Sequence, residues 1–487
     1  MAAFITTIGL EIHAHIRTAS KMFDGCPAEY AGAEPNTFVS AVSLGLPGTL
    51  PVVNQLAVER AALTGLALHC SINERSVFAR KSYPYPDLPK GFQITQYDQP
   101  LCSDGYIDIR TEAGEVKRVR LERLHIEEDT GRLTHGDSGH SLIDYNRSGI
   151  PLMEIVTRPD ISTPEEARLT FEKIRQILVW IGVNSGNLEE GALRCDANVS
   201  VRPADTDTYG AKVEIKNINS FRYVERALTY EIRRQVMVLE AGGTIAQETR
   251  GWDEVRGETV GQRSKEMAHD YRYFPEPDLP PLVFDQIWIA ERKAELPELP
   301  DQRRARFEQI YGLAYRDADL LTLNRAIADY YEAAVAATPD ASGKEVANWV
   351  LNEGFRLLKD RSEEPERLLE RMPVANLAAL IELVAQAKIT RSVAKQLFEE
   401  SFDSGANPAQ LVAERGLTQI SDDDAIRTVV VQVLGEEKAE KAIAEYRNGK
   451  LTAVQFLVGM AMRATKGQAN AQLVRRILEE ELAKPAE

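Results

Sequence analysis

The sequence is poor in cysteine and histidine, with four and seven among 487 residues. Cys26, Cys70, Cys102 and Cys195 are scattered without paired spacing, which excludes a disulfide framework and fits free thiols in a reducing compartment. No apolar run reaches the length of a membrane span, and no basic-plus-apolar leader precedes the alternating pattern after Met1. The expectation is a cytoplasmic protein with no membrane role. Positive charge is also short: 58 Lys and Arg against 74 Asp and Glu leave a net charge of −16, which argues against nucleic-acid binding over the whole surface. A local basic face stays open, because exposed charges are screened within about 8–10 Å at physiological salt. Neither common phosphate loop, G-x-x-x-x-G-K-[ST] or G-x-G-x-x-G, occurs. There is no G-x-S-x-G and no Cys–His pairing that would single out a glutaminase nucleophile.

What is present divides the chain. Its length calls for two or three domains. Up to about residue 275, short alternating apolar segments, Gly/Pro/Asn turns and dense polar clusters suggest α+β with an antiparallel sheet. The proline-rich run from Phe274 to Pro300 reads as a boundary. Helical spacing follows, opening on "DQRRARFEQIYG" with Asp301 as N-cap. A weaker break at "FDSGANPAQ" separates a last all-helical piece. The expected domains are residues 1–293, 294–410 and 411–487.

The unusual polar chemistry lies in the first of these. Read as a strand, "GLEIHAHIR" turns Leu10, Ile12, Ala14 and Ile16 to one face and Glu11, His13, His15 and Arg17 to the other. Any half-buried strand alternates in this way, so the pattern by itself is weak. It recurs, however. "LHIEEDTG" sets Glu127, and His125 two residues before it, on the face opposite Leu124 and Ile126, followed by Glu128 and Asp129. "PLMEIVTRPD" carries one carboxylate, Glu154, inside an apolar run. "LRCDANVSVR" puts Asp196, Asn198 and Ser200 on one face with Arg194 in line, and "VEIKNINS" adds Glu214, Lys216 and Asn217 or Asn219. Charged groups are rarely buried unless paired or metal-bound, so five such strands point to a shared polar cavity. Mostly carboxylate donors with one or two imidazoles favour Mg²⁺, Ca²⁺ or Mn²⁺ over Zn²⁺. Mg²⁺ is commonly completed by substrate phosphates, which directs the expectation to phosphoryl transfer.

Two loops and one tail segment add binding groups. "FARKSYPYPDLPKGFQITQYDQPL" supplies Arg80, Lys81 and Lys90 for anions, and Tyr83, Tyr85, Phe92 and Tyr97 for stacking or hydroxyl contacts, on a backbone stiffened by prolines. "RSKEMAHDYRYFPEPDLPPL" alternates Arg263, Lys265, His269, Asp270, Tyr271, Arg272 and Tyr273, and either contacts RNA or closes the domain. From Tyr446 to Arg476 the chain has Arg447, Lys450, Arg463, Lys466, Arg475 and Arg476 but no Asp or Glu. In an acidic protein that signals a polyanionic partner, although a solvated helix face explains the charges equally well.

Together these segments closely resemble the B subunits of the glutamyl-/aspartyl-tRNA(Gln/Asn) amidotransferases. "IGLEIHAHI", "LGLPGTLPVVN", "RKSYPYPDLPKGFQITQYDQPL", "HIEEDTGRLTH", "DYNRSGIPLMEIVTRPDI", "LRCDANVSVRP" and "VEIKNINSFRYVERALTYEI" carry the resemblance, and "GKLTAVQFLVGMAMRATKGQAN" extends it into the tail. It implies an A–B–C heterotrimer acting on mischarged Glu-tRNA(Gln) or Asp-tRNA(Asn). In that family, the B chain uses ATP and Mg²⁺ to phosphorylate the side-chain carboxylate, and ammonia from glutamine, released in the A chain, displaces the phosphate. The enzyme is thus an ATP-dependent carbon–nitrogen ligase with glutamine as amido-nitrogen donor. The implied fold is a cradle-shaped α+β domain, a helical domain and a small helical tail that grips tRNA. Carried over by position, the resemblance puts Glu11, His13, Glu127 and Glu154 at the metal, and makes catalytic residues of these with Lys81 and Asp196. Lys81, Tyr83, Tyr85, Asn198, Glu214, Lys216 and Asn217 bind the nucleotide or line its cavity. Arg447, Lys450, Arg463, Lys466, Arg475 and Arg476 are then the tRNA contacts.

The chain departs from the family in one loop. Many members carry two cysteine pairs there with zinc-binding spacing, whereas this chain has Asp24 with Cys26, and Ser40 with Ser43. A lone thiol cannot complete a four-coordinate structural zinc site, so no zinc is expected and packing must hold the loop. Two other functions compete. A tRNA-binding scaffold has no need of buried Glu127, Glu154 and Asp196, and a ligase for a small molecule has no use for the basic tail.

Overall fold

The alternation starting at Phe4 folds as β1 (Phe4–His15), with Ile8, Leu10, Ile12 and Ala14 buried and Glu11, His13 and His15 half-buried. The structure, a computed structural model, describes residues 4–135, 139–262, 271–417, 420 and 422–484. Further strands are β2 (Phe78–Ser82), β3 (Phe92–Gln96), β4 (Val116–Glu128), β5 (Pro151–Thr157), β6 (Leu193–Pro203), β7 (Val213–Ile218), β8 (Glu248–Asp253) and β9 (Glu258–Gly261). β1 sits centrally in a ten-stranded sheet of order β9–β8–β7–β6–β1–β5–β4, continued by the short strands Cys102–Ser103 and Ser71–Ile72, with Tyr106–Arg110 also on β4. The sheet is antiparallel as expected except at β7–β8, which run parallel. β2 and β3 form a small sheet with Phe274–Pro275, and β3 packs against β4.

Helices cover the apolar face. α1 (Gln55–Ala67) starts at the Asn54 cap. α2 (Pro164–Trp180) has a full capping box between Thr163 and Glu166, with Pro164 where its missing N–H costs nothing. α3 (Phe221–Glu240) is capped by Ser220. Ala167, Phe171 and Ile174 of α2 and Val224 and Leu228 of α3 join Ile8, Leu10, Ile12, Met153, Ile155, Ala197 and Val199 of the sheet in one core. The opposite face of β4, β5, β1, β6 and β7 is therefore where the polar side chains collect.

The proline-rich stretch read as a boundary is first woven into this unit. Phe274–Pro275 pairs with β2, Leu282–Val283 pairs with Arg75–Ser76, and α4 (Gln286–Ala294) follows. The chain divides at the end of that stretch into two compact units, Met1–Leu299 and Pro300–Glu487.

The second unit is helical. Its first helix, α5 (Pro300–Tyr311), begins one residue before Asp301. Asp301 therefore lies in the first turn and does not cap it; Pro300, pre-set for helix entry, takes the first position. The last helices, α6 (Asp423–Leu434), α7 (Glu440–Arg447), α8 (Val454–Ala464) and α9 (Ala471–Leu482), share a core that includes Ile426, Val430, Leu457, Ala461, Ile477 and Leu478. Among the described residues no helix is long and apolar enough to cross a membrane.

Candidate active site

Strand register brings the isolated acids of the sequence together. Glu154 on β5 lies opposite His13 on β1 and opposite His125 on β4. His13 Nε2 is 3.3 Å from Glu154 Oε2, while His125 Nε2 is 3.6 Å from Glu127 Oε2 and 3.7 Å from Glu154 Oε2. Glu127 also accepts a hydrogen bond from Thr95 Oγ1 at 2.8 Å. His13, Glu127 and Glu154 each offer a ligand atom, all within 4.8 Å of one another. Two carboxylates and one imidazole make a donor set that suits a hard divalent cation.

Electrostatics keep the two carboxylates charged. Burial pushes both carboxyls up, but the hydrogen bond and charge of His125 at Glu127, and the charge of His125 with the His13 contact at Glu154, hold them below the usual range; Lys81 adds to both. His13 shifts upward, since the hydrogen bond and charge of Glu154 outweigh the burial that disfavours its charged ring. His125 was not among the expected site residues. Its signal was the two-residue step to Glu127, but its link to Glu154 depends on register between distant strands.

Glu11, the fourth expected metal neighbour, is not in this group. It lies one step along β1, opposite Asp196 on β6, and accepts from Asn198 Nδ2 at 2.8 Å. Burial and the charges of Glu154 and Glu214 raise its pKa. Beyond it, Lys216 Nζ bridges Asp196 Oδ2 at 3.0 Å and Glu214 Oε1 at 3.1 Å. These partners keep Lys216 charged although burial opposes it. Glu214 lies opposite Asn198 and accepts from Thr249 at 2.9 Å. Asn198 Oδ1 and His125 Nδ1 are buried without a hydrogen-bond partner among the described residues. Asn217 is in β7, but its side chain lies outside the described residues.

The tyrosine loop flanks the group. Lys81 Nζ lies 4.8 Å from the Tyr271 ring centroid and 5.9 Å from that of Tyr83. Burial, then the charges of Asp87 and Glu127, push the Tyr83 hydroxyl up. Tyr85, by contrast, is exposed. Arg263, Lys265, His269 and Asp270 fall outside the described residues. On the other flank is a centre that sequence reading missed: buried Asp129 takes His15 Nε2 at 2.7 Å and Arg194 at 2.8 Å, with Arg147 Nε at 3.5 Å. Burial raises its pKa, yet the two arginines drive it well below the carboxylate range.

In the loop that departs from the family, Asp24 Oδ2 accepts from Ser40 Oγ at 2.6 Å and Ser43 Oγ at 2.7 Å, while Oδ1 accepts from the Cys26 N–H at 2.7 Å. The basic tail is less bare than its sequence. Lys450 pairs with Glu445, Arg475 with Glu479, and Arg476 with Asp423, all acids from outside the 446–476 stretch. Arg463 donates to Gly459 O at 3.2 Å, whereas exposed Arg447 and Lys466 have no ion pair among the described residues.

Comparison with known proteins fixes the class and then the family. Residues 6–290, which hold the whole polar face, match the family model described as the GatB/GatE catalytic domain, and residues 329–482 match that described as the GatB domain. The first unit is thus the catalytic part of an amidotransferase chain. Three curated relatives are named as B subunits of aspartyl/glutamyl-tRNA(Asn/Gln) amidotransferase. The protein of Roseiflexus sp. (strain RS-1) is 59% identical over 99% of both chains. That of Herpetosiphon aurantiacus is 57% identical over 98% of this chain and 99% of its own. That of Thermomicrobium roseum is 51% identical over 99% and 100%. The chain belongs to this family of amidotransferase B subunits.

Proposed function

We propose that the chain, in complex with the A and C subunits, uses ATP to activate the side-chain carboxylate of Glu-tRNA(Gln), Asp-tRNA(Asn) or both. Ammonia supplied by the glutaminase, the A chain, then converts the activated carboxyl to the amide, giving Gln-tRNA(Gln) or Asn-tRNA(Asn). The work is that of a cytoplasmic ATP-dependent carbon–nitrogen ligase. The observation that carries this reading is the convergence of His13, Glu127 and Glu154 from three strands on one face of the sheet.

His13, Glu127 and Glu154 would hold Mg²⁺, which when bound neutralises charge on a transferring phosphoryl group. Their pKa shifts keep the carboxylates in the deprotonated form that a cation needs. His125, 3.6 Å from Glu127 and 3.7 Å from Glu154, supports both carboxylates with its charge, a role that outer partners play at metal sites. Lys81 approaches from the β2 side with a positive charge for nucleotide or acceptor phosphates. Asp196, Asn198, Glu214, Lys216 and Glu11 line the next step of the same face. Residues 411–487 form the tRNA-binding tail.

Substitution of Glu127 or Glu11 by alanine in the assembled heterotrimer tests this. Loss of ATP hydrolysis stimulated by acylated tRNA, with the heterotrimer still forming, is expected. Unchanged turnover in either variant rejects the pocket assignment.

A further inference from the structure

Beside the candidate site is an aromatic array that the function above leaves unused. Tyr97 and Tyr273 stack face to face, with centroids 4.1 Å and planes 4° apart. Tyr271 meets Tyr273 edge-on at 5.9 Å and Tyr83 at 5.7 Å, and Lys81 lies over Tyr271. The array borders the carboxylates. Thr95, two residues before Tyr97, donates to Glu127, and the Tyr273 hydroxyl is pushed up by burial and then by the charge of Glu127.

Aromatic pairs in proteins are mostly core packing, but this one is not. Tyr97 is 54% exposed even though one of its faces is stacked, and neither ring belongs to the buried core. Arg272, between Tyr271 and Tyr273, has φ 45°. A non-glycine residue in this left-handed region loses about 1–2 kcal/mol, so the turn presenting the two tyrosines runs against its own backbone preference. Such strain clusters at ligand clamps and active sites. An open aromatic face at one end of a ring array whose other end carries a cation, near carboxylates suited to a phosphate-bound metal, is an arrangement by which proteins bind unpaired nucleobases.

We propose that the open face of Tyr97 is the platform for an adenine base, which extends the Tyr97–Tyr273 stack to three rings while Lys81 meets the phosphate charge leading toward His13, Glu127 and Glu154. This rests on the function proposed above, in which an adenine arrives from two sources, ATP and the terminal adenosine of the tRNA acceptor end. Both present the same ring to Tyr97, so kinetics must tell them apart.

The test is steady-state amidation by the assembled heterotrimer, with ATP and acylated tRNA varied separately, for wild type, Tyr97→Ala and Tyr97→Phe. Tyr97→Ala should raise the KM for one of the two adenosine carriers about 10- to 100-fold, the fold-change that loss of one stacked base produces. Tyr97→Phe, which keeps the ring, should restore it. A rise confined to ATP assigns the platform to the nucleotide, and one confined to tRNA assigns it to the acceptor end. Unchanged KM for both overturns the proposal. So does an equal rise in both, or a fall in kcat that phenylalanine does not rescue, since these report a disturbed loop. If wild type amidates without consuming ATP, the function above fails, while the tRNA KM still decides the platform.

Discussion

His13 and Glu154 face each other across the β1–β5 pair with Nε2 3.3 Å from Oε2, and the same glutamate faces His125 on its other side. One carboxylate thus joins two histidines separated by more than a hundred residues of chain. That bridge is what turns acids spaced along the sequence into a candidate centre.

Removing the bridge should remove cation binding before it removes the fold. In Glu154→Gln, Mn²⁺ binding followed by electron paramagnetic resonance should weaken by about a hundredfold or more, with the heterotrimer still forming. His125→Ala, which deletes only an outer partner, should weaken it about 10- to 100-fold. Wild-type affinity in Glu154→Gln would exclude this glutamate as a ligand.

The Asp24 knot should be a structural support independent of metal. Asp24→Ala strips the acceptor from Ser40, Ser43 and the Cys26 N–H. Leaving such donors without a partner costs about 1–3 kcal/mol, so the thermal midpoint of the catalytic unit should fall by several degrees. Metal analysis of wild type is expected to find no zinc. Stoichiometric zinc retained through chelation would replace hydrogen bonding with coordination as the force holding this loop.

Glu231 of α3 gives stability a pH dependence. It is fully buried and accepts from Arg234, Gln235 and Thr259, tying the helix to β9. Burial raises its pKa, but these hydrogen bonds lower it below the ordinary 4.5. A depressed carboxylate pKa stabilises the fold above the unfolded value, and that contribution is lost as pH falls through the folded value. Glu231→Gln should therefore be less stable than wild type by about 1–3 kcal/mol at pH 7, and the gap should narrow at a pH below the ordinary carboxylate value of about 4.3. Denaturant titration at both pH values measures it. A gap independent of pH would mean that charge is not what Glu231 contributes.

The strands were legible because alternation is local. Leu10, Ile12 and Ala14 against Glu11 and His13 can be read within nine residues. Pairing was not legible, because nothing near Glu154 says which residues of β1 and β4 oppose it. For that reason neither the link of His125 to Glu154 nor that of Glu11 to Asn198 could be read from the chain. The Asp129 centre, assembled from His15, Arg147 and Arg194, is hidden in the same way. The parallel β7–β8 pair departs from the expected antiparallel sheet because α3, lying between those strands in the chain, carries the backbone across so that β8 enters in the same direction.

The same distinction between chain and space yields a test for the tail. Lys450, Arg475 and Arg476 are each held by a carboxylate from outside the acid-free stretch, so their charge is partly cancelled before any partner arrives. Arg447 and Lys466 are exposed and carry no such pair among the described residues. If phosphates are their partners, each phosphate left without its cation flattens the dependence of log affinity on log salt by about 0.7–0.9. Arg447→Gln with Lys466→Gln should lower the tRNA-binding slope by about 1.5, whereas Lys450→Gln with Arg475→Gln should change it by less than about half as much. Truncation before residue 411 should remove all of these contributions. An identical slope after truncation would take the tail out of tRNA binding. Equal effects of the two double variants would keep the tail but show that Glu445 and Glu479 release their partners when RNA binds.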